Sequence, residues 1–464
     1  MPTLADSKLT LDRRPMARLV IALALPVLLQ QIIIVTVNLS DRWLAGHIQA
    51  GSESAHASLQ AAQTTAQYLA WFISSYTVLV SAGASAVVAR CIGAGDPNAA
   101  IRATHQALIL ALSIGWIGSA FGLCFTEQLV RALNLRDEAA AQAVSYLQPM
   151  FWLLPFQVVE ATGVACLQGA GDTRTGMFIQ GGIALCNLPV AFIMCRGVGS
   201  WDGLGFRGIA WGTATCYTMG AIAVCLVLRR GRAGLLLHGR EFRPDPPMLW
   251  RLLRISLPAG LDSLSVVAGQ IVFLHIVNNL GNVAASAHGT ALGWEQLSFQ
   301  TAHPFGIAAM ALVGQNLGAR RPHDAARAGW TAFGLACLVS CSMGVLFYTF
   351  APNMARFLNP EPEQANIVNE AIAVLRLVAL VTPALVSTIV FTQALRGAGD
   401  TKVPVLFTWF GFLAVRLPLA YLLTSAIFNM GLYGAWLGMC ADLLVRGTFF
   451  FARFAGGKWK KARV

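Results

Sequence analysis

Six stretches of this chain, 54–89, 103–126, 175–195, 208–228, 328–355 and 417–441, contain no Asp, Glu, Lys or Arg. Each is at least as long as the roughly 20 residues an α-helix needs to cross the hydrocarbon layer of a bilayer. Inside lipid the backbone must satisfy its own hydrogen bonds, and the runs lack the ten-residue alternation of a barrel strand, so they read as helices. Of the 464 residues 56% are hydrophobic and only 12% charged, too few polar side chains to cover a water-exposed surface of this size. The expectation is an all-α polytopic membrane protein. Its twelve transmembrane helices are centred near residues 30, 74, 114, 157, 185, 217, 267, 298, 340, 383, 411 and 440. The segment "LDRRPMARLV" leads into a full-length first span, not into a short core with a cleavage site.

Thirty-three basic against 21 acidic residues leave a net charge of +12. Under the twelve-span reading the basic residues gather on one side of the membrane. They stand near the N-terminus (Arg13, Arg14, Arg18), in the centre (Arg229, Arg230, Arg232, Arg240, Arg243), at Arg320, Arg321 and Arg327, and in the tail (Lys458, Lys460, Lys461). The opposite loops hold Glu53, Glu127, Asp137, Glu138, Asp202, Glu361 and Glu363. This bias places both termini in the cytoplasm. The positive charge therefore sets topology and meets anionic lipid; it is not a nucleic-acid footprint. Ten cysteines lie scattered, mostly in apolar runs and without a C-x-x-C pair, and read as small core residues, neither disulfides nor metal ligands.

The chain is written twice. "LQGAGDTRTG" at 167–176 returns as "LRGAGDTKVP" at 395–404, an offset of 228. "GAGDPNAAIRA" at 93–103 is echoed by "GARRPHDAARA" at 318–328, "NLPVAF" at 187–192 by "RLPLAY" at 416–421, and "GFRGIAWG" at 205–212 by "GLYGAWLG" at 431–438. Leu25-Pro26 and Leu257-Pro258 each open a span near the start of a half. Such steady offsets describe an internal duplication of six spans. Six being even, the two six-helix lobes are expected to be related by a pseudo-two-fold axis along the membrane normal. The division is an N-lobe at 1–235, a basic, proline-bearing cytoplasmic linker at 236–250, and a C-lobe at 251–464.

The glycine motifs are not phosphate loops, because no strand precedes them and no lysine stands at Walker spacing. They read as turns: glycine ends one helix, Asp172-Thr173 or Asp400-Thr401 caps the next, and Arg174 or Lys402 holds the turn. Taken together, "SAGASAVVARCIGAGD", "LQGAGDTRTG", "ALVGQNLGARRPHDA" and "LRGAGDTKVP" resemble the signatures of the multidrug and toxic compound extrusion (MATE) family, of prokaryotic type. The resemblance covers almost the whole chain, in order and in both halves. It implies two lobes around a central cleft and export of organic, often cationic, compounds driven by inward proton or sodium flow.

Ionisable residues inside a membrane are costly and are functional candidates by default. Here they are Asp41, Glu160, Asp262, Glu295, Arg416 and Asp442. Gln31, Asn38 and Asp41 form one polar stripe on the first helix, where Asp41 is either a charge at the membrane exit beside Arg42 or an ion-coupling group. The resemblance implies the second role, since the N-L-x-D segment is similar to the stretch where many prokaryotic members place a coupling aspartate. Tyr146, Asn187 and Thr213 match its accompanying polar positions. Ala191 stands where those relatives carry a second aspartate, so a two-carboxylate site of that form is absent. Glu160, in "FQVVEATG", is its candidate substitute, with Tyr146 about four turns away on nearly the same face. It is otherwise a protonated acid in a helix contact.

In the second half "HGTALGWEQLSFQTAHPFG" puts His288, Glu295 and Ser298 on one face, and Glu295 resembles an acidic position that several members use for substrate cations or protons. Asp262, four residues after Pro258, is either a further substrate contact or the cap of a kinked helix. The tenth span lacks the aspartate of sodium-coupled relatives, which favours protons over sodium. Arg416 and Asp442 read as a structural pair between the last two spans. Gln60, Gln63, Gln67 and Ser74 make a second polar stripe with Trp71 near it, suited either to flat cations through cation–π contact or to ordinary packing.

The expected function is thus ion-coupled antiport of drugs and toxic compounds across the bacterial inner membrane by a multi-pass monomer. Its partners are small organic cations, protons or sodium ions, and anionic lipid, with no cofactor, metal or nucleic acid. No enzyme constellation stands out: the eight histidines are dispersed and no H-E-x-x-H occurs. The rival reading is a flippase of lipid-linked precursors or polysaccharide from the same superfamily. That function usually calls for basic groups along the cleft, and the spans offer acids with only Arg376 and Arg416 as central cations.

Overall fold

The computed structural model describes residues 15–46, 53–132, 137–238, 242–359 and 364–462; at 35–46, 53–70, 129, 132, 137–139 and 282 it describes the helical backbone but not the side chains. The first half runs α1 (Met16–Gly46), α2 (Glu53–Ala94), α3 (Pro97–Ala132), α4 (Asp137–Trp152), α5 (Leu154–Gly169), α6 (Thr173–Arg196) and α7 (Phe206–Arg229). The second half runs α8 (Pro246–Asn278), α9 (Asn282–Gly318), α10 (Pro322–Leu358), α11 (Ala365–Ala398), α12 (Lys402–Phe410), a π-helical turn (Gly411–Arg416), α13 (Leu417–Thr424) and α14 (Gly431–Ala455). Among the described residues extended pairing is confined to two isolated bridges, Val198 with Trp201 and Arg232 with Leu235.

Ten of these segments are long and apolar enough to cross a membrane, and the α4–α5 pair makes an eleventh. The twelfth expected span is α9, a single helix of 37 residues. It falls short on apolarity because it carries His288, Glu295, Gln300 and His303. Large apolar side chains point outward along the other helices: Trp116, Ile117 and Phe121 on α3, Phe178 and Leu185 on α6, Leu338 and Val345 on α10. Such a band is untenable against water and ordinary against acyl chains. The molecule is a multi-pass membrane protein.

Compactness divides the chain into two units, one of residues 1–28, 93–95 and 261–464, the other of 29–92 and 96–260. Helix α1 therefore starts in the first of these and continues in the second, and α8 does the reverse. The first unit packs around Ala-rich faces of α9 and α10 and the aliphatic face of α11, with Phe273, Phe391, Phe450 and Trp436 filling the interior.

Inside each unit the repeated letters make the same contacts. A Cβ on Gly169 would meet the Ser85 carbonyl at 2.4 Å, and one on Gly397 would meet the Met310 carbonyl at 2.2 Å. The same holds for Gly212 against Ala191 and Gly438 against Ala420, each at 2.7 Å from backbone. These are close helix crossings that only glycine permits. The turns repeat as well. Asp96, Asp172, Arg321 and Asp400 each donate a backbone N–H five residues back, to Cys91, Leu167, Asn316 and Leu395, at 3.1, 2.8, 2.8 and 2.9 Å. The residue before each is left-handed: Gly95, Gly171, Arg320 and Gly399. This six-to-one closure satisfies helix-end carbonyls.

Two prolines break the fourth span. Pro149 lies within α4 and Pro155 in the first turn of α5, and each removes a backbone donor from the ladder. The two segments bend by 54° at Leu153. Tyr146 and Glu160 consequently do not lie four turns apart on one straight helix, which corrects the expectation drawn from helical spacing.

Candidate functional site

In the unit containing α3–α7, polar side chains meet in an otherwise apolar interior. Glu160 on α5 is almost fully buried, and one of its carboxyl oxygens, Oε1, has no hydrogen-bond partner among the described residues. Gln180 of α6 is within hydrogen-bonding reach of the carboxyl and accepts a bond from Gln30 of α1. Opposite the acid, Gly220 of α7 leaves so little room that a Cβ there would stand 3.1 Å from Glu160 Cγ. Two turns beyond Gln180, buried Asn187 donates to Thr213 Oγ1 at 2.9 Å, and Thr213 in turn donates to the Ile209 carbonyl at 3.1 Å. Ala191, one turn further along α6, packs its backbone against Gly212, so the position of the missing aspartate is occupied by a helix crossing. Tyr146 is half-buried and lies against Phe206, ring centroids 5.1 Å apart. Asn187 with Thr213 and Glu160 with Gln180 thus line one face of α6. The side chains of Asp41 and Gln67 lie outside the described residues, as do those of Asn38, Gln60 and Gln63. Trp71 is exposed on α2.

The other unit holds a denser set of charges. Asp442 of α14 is fully buried and receives Arg416 Nε at 2.9 Å and Arg446 at 2.6 and 2.7 Å. The expected Arg416–Asp442 pair is therefore present, with Arg446 as a second guanidinium that sequence reading left out. An i,i+4 spacing on α14 was the available signal. Phe412 lies between the two cations, 4.3 Å from Arg416 and 4.9 Å from Arg446. The π-helical turn shifts the register that brings Phe412 and Arg416 to this place, a device frequent at functional sites. Glu295 of α9 is half-buried and close enough to Arg416 to interact electrostatically. His288, two turns earlier on α9, is buried against Trp436 and Phe273 at centroid distances of 5.4 and 5.7 Å.

Asp262, expected either as a substrate contact or as a cap, is buried in an ion pair of 2.7 Å with Arg396. Arg396 belongs to the repeated "LRGAGDT" motif, whose first copy carries Gln168 at that place. By the proline offset Asp262 itself corresponds to Gln30. The charged pair in one half thus stands where the other half has amides.

The motif aspartates behave as turn residues. Asp172 caps α6 through Thr175 N at 3.1 Å, and Arg232 donates to it at 2.7 Å. Asp400 makes no cap bond to α12; Arg453 holds it at 3.0 and 2.7 Å. The arginines that brace the turns are Arg232 and Arg453, at or just past the last helix of each half. The adjacent Arg174 and Lys402 expected from sequence do not pair with these aspartates.

Two repeats of membrane-crossing helices, each with a buried polar cluster and matching glycine turns, define a duplicated polytopic membrane protein of the transporter class. The MatE family model matches residues 26–193 and 258–422. The chain belongs to the MatE family. It is 28% identical over 403 residues to the "Probable multidrug resistance protein NorM" of Thermotoga maritima, covering 85% of this chain and 84% of that one. It is 27% identical to the "Multidrug resistance protein MdtK" of Pectobacterium atrosepticum, covering 94% of each. Its fold is similar to a crystal structure of MATE in complex with MaL6, with a TM-score of 0.86 at 20% identity over 96% of this chain and 98% of that one. It is likewise similar to an outward-facing multidrug resistance MATE transporter of the MOP superfamily, with a TM-score of 0.85 at 21% identity over 96% and 97%.

Proposed function

We propose that this protein exports organic, mainly cationic, drugs and toxic compounds across the bacterial inner membrane, by antiport against protons in preference to sodium, with both termini in the cytoplasm. The relatives named as multidrug resistance proteins support drug export. The observation that carries proton coupling is Glu160: a carboxyl in the middle of a span, almost fully buried, with Oε1 left without a partner among the described residues. A buried acid in this position is costly unless it changes protonation in the working cycle. Gln180, itself held by Gln30, offers a neutral amide that can follow either state of the acid, and among the described residues no basic side chain is bonded to it to lock the charge. In the same lobe Asp41 is the second coupling group, with Tyr146, Asn187 and Thr213 shaping its surroundings. Two carboxyls in one lobe would titrate as a pair and bias its helices between two packings. Glu295 and His288, with Gln67 and Trp71, are assigned to substrate, while Asp262 is held by Arg396.

The test is dye export by inverted vesicles with the proton and sodium gradients imposed separately. Export is expected with the proton gradient alone, and Asp41→Asn is expected to abolish it while binding of the dye persists. Export driven by sodium alone, or undisturbed in Asp41→Asn, would overturn the coupling scheme.

A further inference from the structure

The polar interior of the second-half unit is short of partners in one direction. Arg416 Nη1, Trp436 Nε1 and His288 Nδ1 are all buried, and none has a hydrogen-bond partner among the described residues. The first two can only donate, and an imidazole Nδ1 donates in one tautomer. Their side chains are 2%, 0% and 3% exposed, so bulk solvent does not serve them. They share one aromatic cage: His288 touches Trp436 and Phe273, and Arg416 lies over Phe273 at 5.8 Å and over Phe412 at 4.3 Å.

The charges lean the same way. Arg416 and Arg446 share the single carboxylate of Asp442, which leaves one positive charge uncompensated within the bonded group. Glu295 is near enough to Arg416 to offset it but makes no hydrogen bond to it among the described residues. The fold does not need this arrangement. At the repeat-related positions the first half has Asn187 for Arg416 and Cys216 for Asp442, and it builds the same helix crossings without the charges. Buried unsatisfied donors are rare in native proteins and each calls for a cause. Three around a surplus cation, walled by aromatic rings, describe a seat for an anion.

We infer that Arg416, Trp436 and His288 form a carboxylate-binding site, which takes the acid group of an aromatic zwitterionic or anionic substrate. The acid accepts from Arg416 Nη1 and Trp436 Nε1, with His288 Nδ1 as third donor, and Phe273 and Phe412 wall the seat. Glu295 is the competitor: ionised it cancels the surplus charge, and neutral it leaves the seat free for a ligand. The role in export rests on the transport reading above; the binding does not.

The experiment measures equilibrium binding to the purified full chain in nanodiscs. The probes are a fluoroquinolone carrying both an amine and a carboxylic acid, its methyl ester, and a purely cationic dye. The acid is expected to bind about tenfold tighter than the ester, as for a charge-assisted hydrogen bond. Trp436→Phe, which keeps a ring and removes the N–H, should erase most of that ratio. Glu295→Gln should tighten the acid and weaken the cationic dye. Should Trp436→Phe not fold, Glu295→Gln reads the same competition. Chloride that displaces the acid but not the ester would support the site with a halide as its second ligand. Equal binding of acid and ester by the unaltered protein, or an unchanged ratio in folded Trp436→Phe, would overturn it. A protein that discriminates acid from ester but exports nothing would keep the site and sink only the transport reading.

Discussion

Arg396 donates from Nη2 to Asp262 Oδ2 across 2.7 Å, tying the second GAGDT turn to the middle of α8. Both side chains are buried, and desolvation makes such a pair worth little against a neutral substitute while making a lone survivor expensive. Asp262→Asn or Arg396→Gln alone is expected to cost about 3–5 kcal/mol. The double change Asp262→Gln with Arg396→Gln, which installs the amides of the other half, should recover most of it. Melting of the three proteins in detergent decides the matter: a double variant no more stable than the singles speaks against the equivalence of the halves.

The two motif aspartates should differ in how much they need their arginines. Arg453 keeps only 24% of its side-chain surface and holds Asp400 through two donors, whereas Arg232 keeps 57% and Asp172 also caps α6. Arg453→Ala is expected to cost about 2 kcal/mol, and Arg232→Ala about 0.5 kcal/mol after screening by solvent. Thermal melts that reverse this order would show that exposure does not govern the pair.

The segment before α8 is clamped to α3. Gln106 donates to the Arg243 carbonyl at 2.7 Å and accepts from Asp245 N at 2.9 Å, while His105 accepts from His238 N at 3.1 Å and stacks edge-on with Phe242. Losing both Gln106 bonds should raise the population of the released segment about tenfold or more. Limited trypsin cleavage at Arg229, Arg230, Arg232, Arg240 and Arg243 should accelerate accordingly in Gln106→Ala. An unchanged cleavage rate would mean that other contacts hold the segment.

Glu160→Gln keeps the shape of the side chain and removes its charge. With Gln180 in reach and no basic partner bonded to the acid among the described residues, the variant should fold and melt like the parent. Its export should lose the parent's pH optimum while substrate binding is preserved. A pH profile of vesicle export identical to the parent's would return Glu160 to a packing role.

Charge-free runs longer than a bilayer is thick, without barrel alternation, leave helix as the regular structure that can satisfy the backbone, so the spans, the repeat and the places of the turns were readable from the chain. The repeated glycines were legible for the same reason, since a close crossing tolerates no Cβ wherever it occurs. The Arg416–Asp442 pair was legible as well; for most other polar residues the sequence could not supply the partner. Asp262 read as either a substrate contact or a helix cap, but the packing of α8 against α11 turns it onto Arg396. Arg446 stands one turn from Asp442 on the same α14, a spacing the chain already shows; that it shares the carboxylate with Arg416 follows only from the packing of α14 against the π-helical turn. Gln30 and Gln180 are single amides in apolar helices until packing joins them. Hydropathy follows the repeat of one helix, whereas a buried pair depends on how two helices are rotated about their axes, and that rotation is decided by side-chain packing between them.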